Sequence, residues 1–129
     1  GRISSGLYIL TATKGDVSSA MLASWITQAS FEPLGFTVAV AKDRAIESFM
    51  QVGDTFVLNI LEEGNHLPLM KHFLKRFPPG ADRFAGIRTR PAENKSPILA
   101  DALAYLECEV SSRMELSDLW LGFCTVDNV

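Results

Sequence analysis

Ser18-Ser19-Ala20-Met21-Leu22-Ala23-Ser24-Trp25-Ile26-Thr27-Gln28-Ala29-Ser30-Phe31-Glu32-Pro33 is a run that would read as core, were it not punctuated by hydroxyl and amide side chains. Before it stands a strand-like Leu7-Tyr8-Ile9-Leu10-Thr11-Ala12, and after it Phe36-Thr37-Val38-Ala39-Val40-Ala41-Lys42. Lys14-Gly15-Asp16 and Glu32-Pro33-Leu34-Gly35 carry tight-turn chemistry between these runs, so the first third of the chain reads as strand, turn, strand, turn, strand.

The period changes over Arg44 to Val52, where Ala45, Ile46, Phe49 and Met50 share one face and Gly53 closes a short helix. Thr55 to Leu61 returns to a β-branched and aromatic strand with one polar member, Asn59. From Asn65, Met70, Phe73, Leu74 and Phe77 form an apolar helical stripe opposite Lys71, Lys75 and Arg76, with Pro78-Pro79-Gly80 as the stop. Residues Asp82 to Pro97 read as a loop, of a length that often carries function. Ala104 to Met114 and Asp118 to Val126 read as a long antiparallel hairpin. Antiparallel strands with short helices laid over them predict a mainly β fold, a closed or partly closed barrel that leaves few exposed edges.

The 129 residues suffice for one domain with a real core, and 47% apolar against 21% charged residues is an ordinary globular balance. A net charge of −3 gives no general attraction to nucleic acid or anionic lipid, and no apolar run reaches the roughly 18 residues of a membrane helix. Cys108 and Cys124 lack redox or zinc spacing and read as two buried thiols in a reducing, cytoplasmic compartment. The N-terminus has no signal-peptide layout, and Asn128-Val129 has no stop signal, so residues 1–129 read as a domain excised from a larger multidomain chain. There is no Gly-x-Ser-x-Gly elbow, no paired Cys or His at ligand spacing and no Gly-rich phosphate loop, so neither a metal site nor a catalytic serine is expected.

Residue chemistry points to a flat, polar-edged ligand. Ser24, Thr27, Gln28 and Ser30 offer hydroxyl and amide groups beside Trp25, a mixture that suits a ring with a polar and an apolar half. The plainer alternative is a half-exposed strand with surface hydroxyls. Lys42 and Arg44 flank Asp43 at a helix start, where two cations and free N–H groups could converge on a phosphate; ordinary solvated charge with Asp43 as N-cap is the alternative. Asn59 needs a partner, either backbone in the barrel wall or a ligand edge.

Thr11-Ala12, Ala23-Ser24-Trp25, Ser30-Phe31-Glu32-Pro33, Phe56 to Leu61 and Pro97-Ile98-Leu99 together resemble the flavin reductase-like family, above all the C-terminal domains of flavodiiron proteins of oxygenic phototrophs. That resemblance implies an antiparallel Greek-key split β-barrel that binds FMN in preference to FAD. Ala23, Ser24, Trp25, Ser30 and Phe31 would line the flavin ring and ribityl chain, Asn59 would reach the flavin edge, and the phosphate would lie just after the third strand. It further implies NAD(P)H as co-substrate, a homodimer, a flavodiiron oxygen-reducing core in the same parent chain, and a cytoplasmic or chloroplast-stromal setting. The flavin itself carries the chemistry, so no protein acid or base is assigned. One departure stands out: relatives commonly carry Gly-Asp-His where this chain has Ser117-Asp118-Leu119, and Leu119 cannot move a proton. The alternative it favours is a non-catalytic flavin-binding or dimerisation module. An oligonucleotide-binding barrel is opposed by the acidic balance.

Overall fold

The computed structural model describes residues 7–23, 26–31, 34–42, 45–62, 64, 66–75, 77, 78 and 81–128, with backbone alone at 27–31, 45 and 128. In chain order these form β1 (Leu7–Lys14), β2 (Val17–Ala23), β3 (Ile26–Phe31), β4 (Leu34–Ala41), a 3₁₀ segment (Ala45–Phe49), β5 (Thr55–Leu61), α1 (Leu67–Leu74), β6 (Thr89–Pro91), β7 (Pro97–Leu99), β8 (Ala104–Glu115) and β9 (Leu119–Asn128). Seven strands make one sheet in the order β2-β1-β5-β8-β9-β4-β3, and β6 pairs with β7 in a small ribbon.

Every ladder in the large sheet is antiparallel. The two edge strands therefore point the same way, and only Ser24 and Trp25 separate them in sequence. Three peptide steps bring Ala23 and Ile26 within at most about 11 Å of each other. β2 and β3 thus act as two halves of one strand, the first bonded to β1 and the second to β4, and the sheet closes through that change of partner. Register confirms a tilted barrel. A row leaving β8 at Ala104 passes Ile60, Tyr8 and Ala23, then runs from Ile26 through Val38 and Gly122 to re-enter β8 at Arg113. Such a stagger accompanies strand tilt in closed barrels.

Strand alternation produces two cores. Tyr8, Leu10, Phe36, Val38, Phe56, Leu58, Val110 and Trp120 fill the barrel, where Ile46 and Met50 join them from the 3₁₀ segment and its end. Phe36 and Phe56 meet edge to face with centroids 6.2 Å apart. Ile9, Leu61, Leu69 and Leu99 form the outer layer, with Met70, Phe73, Phe84 and Ile87 packed against them from α1 and the following loop.

Several expectations are corrected here. The helix expected over Arg44–Val52 is a 3₁₀ segment of five residues. α1 buries Leu69 and leaves Leu74 64% exposed, so its inward stripe is Leu69, Met70 and Phe73. The Asp82–Pro97 stretch holds β6 and the start of β7, with Asn94 bracing the turn by accepting from Ser96 N and donating to the Phe56 carbonyl. The hairpin of β8 and β9, the turn at Lys14-Gly15-Asp16 and the strand at Thr55–Leu61 stand as read from the sequence, while Glu32 and Pro33 of the second expected turn lie outside the described residues. Cys108 and Cys124 are buried free thiols.

Gly122 is required by packing rather than by backbone angle. A Cβ there would lie 2.7 Å from Cζ3 of the fully buried Trp120. Gly122→Ala is expected to lower stability by about 1–3 kcal/mol, the usual range for overpacking, as read from a urea midpoint at unchanged slope.

Candidate functional site

Among the described residues the ladder between β3 and β4 runs from Ile26 opposite Val38 to Phe31 opposite Leu34. Continued in register it would place Ala23 against Ala41 and Leu22 against Lys42. β2 is instead bonded to β1, with Ala23 opposite Tyr8. The partner therefore changes between Ala23 and Ile26, forming a wedge between the end of β2 and the end of β4. Unpaired backbone N–H and C=O groups along such a split are hydrogen-bonding groups available to a ligand.

Several residues singled out in the sequence converge there. Ala23 stands at the wedge, but the whole residue is only 4% exposed and packs in the barrel core. Lys42 lies at the other lip, with its side chain 38% exposed and its Nζ 3.5 Å from Glu115 Oε2. Its backbone N–H is already donated to the Asp118 carbonyl at 3.2 Å. Leu119 pairs directly with Ala41, which puts the family's departing position beside the same lip, on the opposite sheet face from Lys42. Ser24, Trp25 and Arg44 lie outside the described residues. Thr27, Gln28, Ser30 and Phe31 are described by backbone alone. β3 carries them away from the wedge, with a bulge between Gln28 and Ser30, so Ser30 sits on the order of 14 Å along the strand from Ile26.

Asn59 takes the backbone alternative. It is fully buried on the outer sheet face, opposite to the face that carries Ala23. Nδ2 donates to the Ile9 carbonyl and to Thr11 Oγ1, both at 3.0 Å, and Oδ1 accepts from Leu99 N at 2.9 Å. Thr11 Oγ1 in turn donates to the Pro97 carbonyl at 2.5 Å. With its amide committed to the protein, Asn59 serves to tie β7 onto β1 and β5. The sequence signal for this role was a lone amide in an apolar strand, read with its partner left open.

Three other groups bear on the chemistry. Arg113 stacks its guanidinium 4.0 Å from the Trp120 ring centroid, donates from Nη2 to Glu115 Oε1 at 3.0 Å, and reaches the Met50 carbonyl at 3.4 Å. His72 Nε2 lies 2.6 Å from the Arg83 carbonyl and so donates its proton there, joining α1 to the next loop. Burial pushes the Cys124 thiol up to about 12, and burial together with neighbouring Cys124 raises Cys108 further, so both stay protonated and unreactive at neutral pH. A second concavity of about 370 Å³, bounded by Arg90, Ile98, Leu103 and Tyr105, opens three strands from Ala23, with the Arg90 guanidinium 5.3 Å from the Tyr105 ring centroid. It was not foreseen, since its lining comes from separate strands and loops.

A staggered antiparallel barrel closed by one strand that changes partner, with an outer helix and ribbon, is the split barrel of flavin reductases. A Streptomyces globisporus NADH:FAD oxidoreductase matches it with a TM-score of 0.81 at 25% identity, covering 97% of this chain and 74% of that one. A flavin reductase domain protein from Arthrobacter sp. matches with a TM-score of 0.84 at 19% identity, over 98% of this chain and 77% of that one, a likeness of fold. The chain belongs to the flavin reductase like domain family, whose model matches residues 1–129. It is 76% identical over 128 residues to diflavin flavoprotein A 1 of Synechocystis sp. and 74% identical over 126 residues to putative diflavin flavoprotein A 3 of Nostoc sp.. Those matches cover 99% and 98% of this chain but 22% of each relative, so the chain spans about a fifth of the length of these proteins.

If Lys42 and Arg44 grip a phosphate, Lys42→Ala with Arg44→Ala should weaken FMN binding by tenfold or more, about what one lost charge-assisted hydrogen bond costs, while riboflavin binding changes less than about twofold. Flavin fluorescence quenching measures both. Equal losses for the two ligands would remove the phosphate from this lip.

Proposed function

We propose that this domain is an FMN-binding NAD(P)H:flavin oxidoreductase whose flavin lies in the wedge between β2 and β4. The observation that carries the reading is the change of partner between Ala23 on β1 and Ile26 on β4, beside a partly exposed cation, in a chain of the flavin reductase like family. The chemistry of the donor set fits: in sequence, Ser24, Thr27, Gln28 and Ser30 offer hydroxyl and amide groups for a ring edge and a polyol, and Lys42 with Arg44 offers charge for a phosphate. A flavin held there by Lys42 and Arg44 at its phosphate would supply the hydride-accepting and electron-passing chemistry.

The residues of this chain then bind and orient. Backbone along the split fixes the ring edge, Lys42 holds the phosphate end, and Leu119, half-buried opposite Ala41, supplies apolar surface without a proton. Hydride transfer between stacked rings depends on distance and orientation, so the absence of an imidazole at Leu119 slows nicotinamide handling rather than abolishing it. The domain works as a homodimer, which would shelter an otherwise open wedge. It delivers electrons to a flavodiiron oxygen-reducing core in the same longer chain, a placement supported by the diflavin flavoproteins it resembles. The second reading, a flavin-binding and dimerisation module with little turnover, is favoured by Leu119 alone.

An anaerobic absorbance titration of the FMN-loaded protein with NADH and then NADPH separates the two. Bleaching of the flavin band is the expected result and names the donor. A yellow protein that keeps its colour would establish the module instead.

A further inference from the structure

Side chains alternate along β8, so Arg113 and Glu115 share the inward-facing side, and the β4–β9–β8 register brings Lys42 onto that side as well. The three form a bridge at the barrel mouth: Glu115 Oε1 is 3.0 Å from Arg113 Nη2, and Oε2 is 3.5 Å from Lys42 Nζ. The two cations differ. Arg113 is held by the Trp120 ring and the Met50 carbonyl, with its side chain only 10% exposed. Lys42 ends on a flexible stem, and its one ion pair among the described residues is this long contact to a carboxylate whose own side chain is 57% exposed. A carboxylate shared between a fixed guanidinium and a mobile ammonium occupies the position an incoming phosphate would compete for.

We infer that Glu115 is the specificity-determining residue of the phosphate lip, an internal anion that parks Lys42 and must yield it before a ligand phosphate can bind. The inference rests on the proposed flavin site. Glu115 opposes every phosphate-bearing ligand by holding the cation and by like charge, while leaving a neutral flavin untouched. Arg113 keeps Glu115 in place when Lys42 leaves, so the competing charge stays at the lip. The consequence is an FMN affinity held below what the two cations alone would give, as suits a flavin that exchanges.

The test compares FMN with riboflavin on the intact domain, using fluorescence quenching, for the native chain, Glu115→Gln, Lys42→Ala and the double variant. Glu115→Gln keeps the shape and a hydrogen-bond acceptor, and a thermal melt checks its fold. Removal of one charge at the lip should tighten FMN about threefold or more with riboflavin unchanged, and this gain should disappear in the Lys42→Ala background. An unchanged or weakened FMN affinity in Glu115→Gln, or an equal gain for riboflavin, overturns the inference and leaves the flavin site standing. A gain that persists without Lys42 overturns it too, since charge alone and not the parked lysine would then be acting. A native chain that binds neither ligand overturns both the inference and the reading beneath it.

Discussion

The fold depends on one strand that serves two partners. Residues 17–23 complete the ladder of β1 and residues 26–31 complete that of β4, so the two edges of a seven-stranded sheet belong to one continuous stretch of chain. Closure removes the open edges that would otherwise invite pairing with another chain. It also obliges the strand to leave β4 where it joins β1, and the wedge at Ala23 and Lys42 is the geometric result. The same change of partner that closes the barrel sets the end of β2 beside the end of β4, the place where a polar-edged ligand is proposed to bind.

The opposite sheet face shows how such a barrel is stiffened. Asn59, Thr11, the Ile9 and Pro97 carbonyls and the Leu99 amide form a closed set of donors and acceptors under the outer layer. An unmatched amide in that position would cost on the order of 1–3 kcal/mol, whereas here each amide atom has a partner. The network locks β7 and its ribbon onto β1 and β5, giving α1 a firm surface for Leu69 and Phe73. At the barrel mouth Arg113 stacked on Trp120 plays a comparable part, closing the end with a charge held by an aromatic face.

Much of this was legible in sequence because it is written in local chemistry. The turn at Gly15, the alternation in β8 and β9 and the apolar strand around Asn59 follow from turn residues and period. What escaped depends on residues distant in the chain. Nothing local in Ser18–Pro33 says that its halves bond to opposite edges of a sheet, so the wedge was invisible in the sequence even though Ala23 and Lys42 beside it were named. Strand β6 was read as loop, together with Pro97 at the start of β7, because three-residue strands carry too little period to register. Asn59 was drawn toward the flavin by resemblance, but its partners Thr11 and Leu99 lie about forty or more residues away, across a face that only the register reveals. Glu115 carried no signal of its own, since its partner Lys42 meets it only through β9.

The central claim is that the flavin lies where the closing strand parts from β4. Hydrogen–deuterium exchange with and without FMN tests it directly. The account predicts new protection confined to peptides spanning 21–31 and 38–44. Protection of 88–91 and 98–106 around the Arg90 and Tyr105 concavity instead, with the closing strand unchanged, would contradict it.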